Sequence, residues 1–298
     1  MPELPEVEVL VRHLAPVLSG ERIRTVEVRR PRVIRPGTVA AFEQALVGAR
    51  FTGVSRRAKY LVFTLDASDG RAPFTLLGHL GMTGRMYVTR RSATLPVHAA
   101  VILGLGPRRF VFEDARYFGR LTLDPSALDR LGPEPLESSF TPAAFHSGLG
   151  RSRQAIKVRL LDQGLVAGVG NIYASEALFR ARLSPRLAAN RLNREQAARL
   201  RLAIRRVLRE AIRFGSTVPL DWEGRGGGDR LFYYGRAPGA TGDHYHERLA
   251  VYDRAGLPCR RCGQAIRCIV QAGRSTYYCP HCQPRRPADV QGFGPRRR

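Results

Sequence analysis

Lysine is nearly missing from this chain of 298 residues: of its 49 basic side chains only Lys59 and Lys157 are lysine, and the other 47 are arginine. Acid is scarce as well, 25 residues against those 49, which leaves a formal net charge of +24. So basic a chain suits a polyanionic partner, because its summed charge attracts phosphate over distance. Long apolar runs are also lacking. None approaches the 18 or so residues that a membrane span needs, so no membrane partner is expected. Hydrophobic residues still make up 44%, too many for a disordered basic tail, and a folded, soluble protein is expected. Cysteine is sparse, with five in all, every one of them between Cys259 and Cys282 and four of those in CxxC pairs, which argues against a disulfide framework and for metal. The N-terminal MPELPEVEVL carries acids where a signal peptide carries bases, so the expected location is cytoplasmic, in the cytosol or on the nucleoid.

What is present falls into blocks. Leu4, Val7, Val11, Leu14 and Leu18 recur at helical spacing before Ser19-Gly20, which predicts an amphipathic helix over about 4–18. From Arg22 to Leu123 short runs rich in Val, Ile, Phe and Tyr alternate with Gly, Pro and Asp, the pattern of an all-β body and most simply a sandwich. The Pro-rich stretch Leu131–Leu136 breaks that pattern. Helical segments follow at 154–162 and 171–181. A longer helix runs from an Asn193 cap, with Gln196 three residues on, to Phe214 with Gly215 as its C-cap. Its many arginines read as a solvated face. The fold expected is α+β and multidomain: an N-terminal β-sandwich with a flanking helix over 1–133, a linker over 134–150, a helical domain over 151–258, a zinc hairpin over 259–283, and a disordered basic tail over 284–298. Residues 221–246, Gly-rich and aromatic, read as a mobile loop.

Two features carry chemistry. Cys259-x2-Cys262 and Cys279-x2-Cys282, separated by a hairpin-length spacer, let four thiolates converge on one tetrahedral Zn2+ with no open position, so the metal is expected to be structural. Cys268 in the spacer reads as a small buried hydrophobe, and His281 as an exposed ring. Strands at 265–271 and 275–278 with a Gly273-Arg274 turn would project Arg274 towards a phosphate. At the other end, removal of Met1 from before Pro2 would leave a secondary amine beside Glu3 and Glu6. An α-amino group titrates well below a lysine, so more of it is nucleophilic at neutral pH, and the positive end of a helix dipole further disfavours its charged form. A secondary amine that attacks an aldehyde-like carbon yields an iminium, which is an electron sink.

Taken in order, MPELPEVE, RRAKYL at 56–61, GHLGMTGRM at 78–86, DARYFG at 114–119, GVGNIYASE at 168–176 and the double CxxC resemble the bacterial formamidopyrimidine-DNA glycosylase family, from Met1 to about Gln283. The resemblance implies a bifunctional glycosylase and abasic-site lyase acting on double-stranded DNA that contains an oxidised purine, as a monomer with one structural zinc and a helix-two-turn-helix domain. It gives Pro2 the role of nucleophile at C1′ and Glu3 that of acid and base, with Lys59 at the sugar and phosphate and Arg274 on the phosphates flanking the lesion. Met82, Arg116 and Phe118 match the residues that fill the space left by an extruded base. His79, His98, Lys157 and Asn171 match DNA-backbone contacts, with Gly168 and Gly170 letting backbone amides approach an anion. Tyr117 stands where relatives often carry a basic residue. The 221–246 segment corresponds to the lesion-capping loop but departs from it in length and composition. Leu4 and the Arg-x-Phe of DARYFG favour the purine branch over the related endonuclease VIII branch, which removes oxidised pyrimidines. A zinc-containing nucleic-acid-binding protein without activity is the non-enzymatic alternative.

Overall fold

A computed structural model describes residues 2–214 and 248–284. The Gly215 cap, the 221–246 loop and the tail beyond Pro284 lie outside them. The chain divides into two compact units, with boundaries between Arg130 and Leu131 and between Glu210 and Ala211.

The first unit opens with α1 (Leu4–Leu18), whose stripe of Val7, Leu10, Val11, Leu14 and Leu18 is buried. Two four-stranded antiparallel sheets follow. One orders β1 (Thr25–Val28), β6 (Ala99–Gly104), β7 (Arg108–Glu113) and β5 (Arg85–Arg90); the other orders β2 (Arg50–Arg57), β3 (Tyr60–Asp66), β4 (Phe74–His79) and β8 (Arg120–Thr122). Alternation along β3 buries Leu61, Phe63 and Leu65 on one face, where the period of two puts them. Phe63 meets Phe51 edge-on at 5.9 Å and Phe110 of the opposite sheet at 5.7 Å, so the core is a sandwich interior closed by α1.

The β-rich stretch is not purely β. A short helix, α2 (Val39–Leu46), interrupts it, capped by the Thr38 hydroxyl accepting from the Ala41 N–H and anchored by buried Phe42 and Leu46 one turn apart. A helix in this stretch departs from the all-β reading because its apolar signal rests on only two residues.

The second unit holds α3 (Pro142–Gly150), α4 (Ile156–Arg159), α5 (Asn171–Arg180), most of α6 (Arg194–Arg213) and the hairpin of β9 (Arg267–Gln271) with β10 (Arg274–Tyr278). Here the linker expected over 134–150 is corrected. Thr141 caps α3 by accepting from the Ala144 N–H, and Phe145 and Leu149 are buried, so much of that stretch is packed helix. The expected capping box on α6 is present in both directions: Gln196 N–H donates to Asn193 Oδ1 at 2.8 Å and Asn193 N–H to Gln196 Oε1 at 3.0 Å. Its arginines are not simply solvated. Arg205 donates to the carbonyls of Pro135, Leu136 and Glu137, and Arg201 to that of Phe140. These bonds satisfy acceptors of a Pro-rich segment that no regular ladder can reach.

Candidate active site

In the first unit Pro2 and Glu3 stand at the head of α1, and both are buried. Glu3 is the N-cap, and its N–H donates to the Glu6 carboxylate at 2.8 Å as one half of a capping box. The two acids beside Pro2 thus fix how the chain enters the helix. Lys59 sits in the two-residue turn that joins β2 to β3, after Ala58, whose φ of 53° is unusual for a residue with a Cβ. That turn is tied back to α1. Arg56 donates to the Ala58 carbonyl at 3.1 Å and to Glu8 at 2.9 Å. Glu8 also accepts from Arg12, and the two arginines hold its carboxyl low despite burial that works the other way.

His79 ends β4, with its ring 4.8 Å from that of Tyr60 across the ladder. Burial, reinforced by the charges of Lys59 and Arg120, pushes the imidazole down to about 4. A backbone N–H from Gly81 reaches its Nδ1 at 3.1 Å. Since that group can only donate, Nδ1 accepts and the ring proton resides on Nε2. The result is a neutral imidazole with one donor left to offer.

Met82 and Phe118 are large apolar side chains left substantially exposed, at 40% and 51%. They belong to two loops in direct contact. At Gly81, with φ of 62°, a Cβ would lie 2.5 Å from backbone atoms of Phe118 and Gly119, so only glycine allows the approach. The Arg116 guanidinium lies 5.0 Å from the centre of the Phe118 ring. Asp114, absent from the candidates above, organises both loops. Its carboxylate is fully buried and accepts from the Thr83 hydroxyl at 2.6 Å, the Gly119 N–H at 2.7 Å and the Arg116 N–H at 3.1 Å. Its own N–H donates to the carbonyl of His98, whose side chain is exposed. The sequence signal was a carboxylate two residues ahead of Arg116, inside the DARYFG string.

In the second unit the Lys157 ammonium, with its side chain buried, donates to Asn171 Oδ1 at 2.5 Å. Asn171 opens α5 and passes its amide on to the Ser275 carbonyl at 2.9 Å, the residue next to Arg274. Those three candidates are therefore brought together. The hairpin turn is Ala272-Gly273, both at positive φ, so Arg274 is the first residue of β10 and not part of the turn, and it is exposed. Gly168 does not offer its amide to an anion, because that N–H donates to Gln163 Oε1 at 2.8 Å. Buried Glu176 was also missed. It accepts from the N–H groups of Ala250, Val251 and Tyr252 at 2.8 to 2.9 Å, which pins the segment leading into the cysteine cluster.

The four cysteine sulfurs of Cys259, Cys262, Cys279 and Cys282 all lie within 4.8 Å of one another. Tetrahedral zinc with bonds of about 2.3 Å sets sulfurs about 3.8 Å apart, and the pairs Cys259–Cys282 and Cys262–Cys279 are separated by 3.9 and 3.5 Å. Burial pushes the Cys279 thiol up to about 11 and raises Cys282 as well. Such crowding of ionisable thiols is what a dication relieves, and the donor set fits one structural zinc. Cys268 is not the buried hydrophobe expected, because its side chain lies on the exposed face of β9.

Fold and site together define a multidomain, zinc-containing protein built to bind nucleic acid. Family models match along the chain: the formamidopyrimidine-DNA glycosylase N-terminal domain over residues 1–121, the H2TH domain of the same enzymes over 131–220, and the zinc finger found in FPG and IleRS over 256–285. A formamidopyrimidine-DNA glycosylase of Desulfitobacterium hafniense is 40% identical over 290 residues, covering 95% of this chain and all of that protein. One from Thermus thermophilus is 42% identical over 294 residues, covering 96% of this chain and all of that protein. A Lactococcus lactis Fpg mutant in complex with Fapy-dG-containing DNA is 32% identical, with a TM-score of 0.83 over 95% of this chain and all of that one. The chain belongs to the formamidopyrimidine-DNA glycosylase family.

Proposed function

We propose that this protein excises oxidised purines, 8-oxoguanine and formamidopyrimidines, from duplex DNA opposite cytosine and then cleaves the strand at the abasic site, acting as a cytoplasmic, nucleoid-associated monomer. The observation that carries the reading is the buried Pro2-Glu3 pair at the head of α1 in a member of this family.

Once Met1 is removed, the Pro2 nitrogen attacks C1′ of the damaged nucleotide and the base departs with a proton. Glu3 supplies and takes up protons as the sugar ring opens. The lone pair of Pro2 then forms the iminium, which acidifies C2′, so loss of that proton expels the 3′ phosphate and a second elimination expels the 5′ phosphate. Extrusion of a nucleotide costs a few kcal/mol of stacking and leaves a gap. Met82 and Phe118 occupy it as apolar plugs, while Arg116 hydrogen-bonds the base left unpaired. Lys59, His79 through Nε2–H, His98, Lys157, Asn171 and Arg274 hold phosphates around the extruded nucleotide. The zinc, held by its four cysteines, fixes the hairpin that presents Arg274 and takes no part in bond making.

Borohydride reduction tests this. Reaction with an 8-oxoguanine:cytosine duplex should trap protein on DNA through Pro2, more readily than with a thymine glycol duplex. Trapping that persists in Pro2→Gly would defeat the mechanism.

A further inference from the structure

Adjacent arginines at the end of β1 are treated differently. Arg29 is neutralised by Glu27, with Nε to Oε1 at 2.7 Å. Arg30 has no carboxylate partner among the described residues; its Nε donates to the hydroxyl of Tyr117 at 3.0 Å, and its guanidinium carbon lies 5.7 Å from the centre of that ring. A phenolic oxygen orients the guanidinium yet leaves its charge whole, where a carboxylate would cancel it. The Nη groups keep most of their donors for another acceptor.

The position of Tyr117 gives this a purpose. It lies between Arg116 and Phe118 in the chain, but at φ of 54° it is partly buried against the sandwich core while both neighbours are exposed. A residue less exposed than both of its loop neighbours thus holds a cation from 87 positions away. On Arg30's side, buried Val33 and Ile34 anchor the segment, and Arg32 and Arg35 are exposed with no carboxylate within ion-pair distance among the described residues. An oriented, uncompensated guanidinium whose anchor is the middle residue of the Arg116–Phe118 loop matches one chemistry, the phosphodiester backbone of duplex DNA.

We infer that Arg30 is a DNA-backbone contact belonging functionally to the 114–119 loop, held in place by the Tyr117 hydroxyl. This rests on the DNA-repair reading above. It is tested by fluorescence anisotropy with a duplex carrying a tetrahydrofuran abasic analogue, titrated across a salt series. Arg30→Ala should weaken binding several-fold and make the plot of log affinity against log salt less steep by about 0.9. Tyr117→Phe keeps the packed ring and removes the acceptor. It should weaken binding in the same direction, and the double variant should bind no worse than Arg30→Ala alone. Arg71→Ala, which removes a cation already paired with Asp69, should leave the slope as it was. An unchanged slope in Arg30→Ala, or effects of Arg30→Ala and Tyr117→Phe that add in full, overturns the assignment. Borohydride trapping of the unaltered protein separates the two ideas. Absence of trapping defeats the proposed function, whereas trapping with an unaltered Arg30→Ala slope defeats only the role of Arg30.

Discussion

The Thr83 hydroxyl donates to a buried oxygen of Asp114 at 2.6 Å, and through that bond the loop carrying Met82 is locked to the loop carrying Arg116 and Phe118. Hydrogen bonds to a charged acceptor contribute about 1.5–3 kcal/mol each. Thr83→Val should therefore lower stability by about that amount and weaken binding to lesion-containing duplex. Asp114→Ala, which strands the Arg116 and Gly119 amides as well, should cost more. Thermal melts with and without DNA check both, and a Thr83→Val protein with unaltered melting and affinity contradicts the lock.

His79 gives a pH signature. Its folded value of about 4 lies below the ordinary 6.5, so between these values the unfolded chain binds more protons than the folded one. Stability then rises with pH across that window and is lost as pH falls from about 6.5 towards 4, by up to roughly 3 kcal/mol. His79→Gln should flatten this part of the stability curve. In NMR titration the His79 ring should remain neutral at pH 6, and a midpoint near 6.5 would contradict the environment described.

Zinc removal should disturb the second unit and leave the first folded. The metal ties together only residues between Cys259 and Cys282, whereas the sandwich core contains none of them. Chelation should abolish DNA binding and expose amides around β9 and β10 to hydrogen exchange, while those of β3 and β7 stay protected. Global loss of protection on chelation is the contrary result.

Both lysines resist replacement, for different reasons. Lys157 is buried against Asn171, and a guanidinium is larger and cannot present a single compact charge there, so Lys157→Arg should cost about 1–3 kcal/mol by overpacking. Lys59→Arg should depress excision far more than an exposed change such as Arg71→Lys does. Single-turnover excision on an 8-oxoguanine duplex measures this, and equal rates for the two variants would contradict it.

Much of this was legible in sequence where the signal was local. The α1 stripe, the Asn193–Gln196 box and the paired CxxC knuckles each lie within a short stretch whose spacing dictates geometry. Short helices escaped, since α2 and α3 each rest on two buried apolar residues. Groups whose partners are largely main-chain atoms escaped as well: buried Asp114 and Glu176 and half-buried Arg205 satisfy N–H or C=O groups that every residue possesses, so little in the partner's identity marks the pairing. Cys268 was misplaced because residue type says less about burial than strand face does. Arg30 and Tyr117 meet only after the sandwich has folded.

The scarcity of lysine also shapes how this protein can be handled and modified. Side-chain amines exist only at Lys59 and Lys157, 7% and 1% exposed, so amine-directed acylation has almost no side-chain target in the folded state. A protease that cuts after lysine meets just two bonds even in the unfolded chain, whereas one that cuts after arginine meets dozens. An aldehyde presented to the folded protein thus encounters very few competing amines, and reductive capture can report on one nitrogen with little background from the rest of a highly cationic surface.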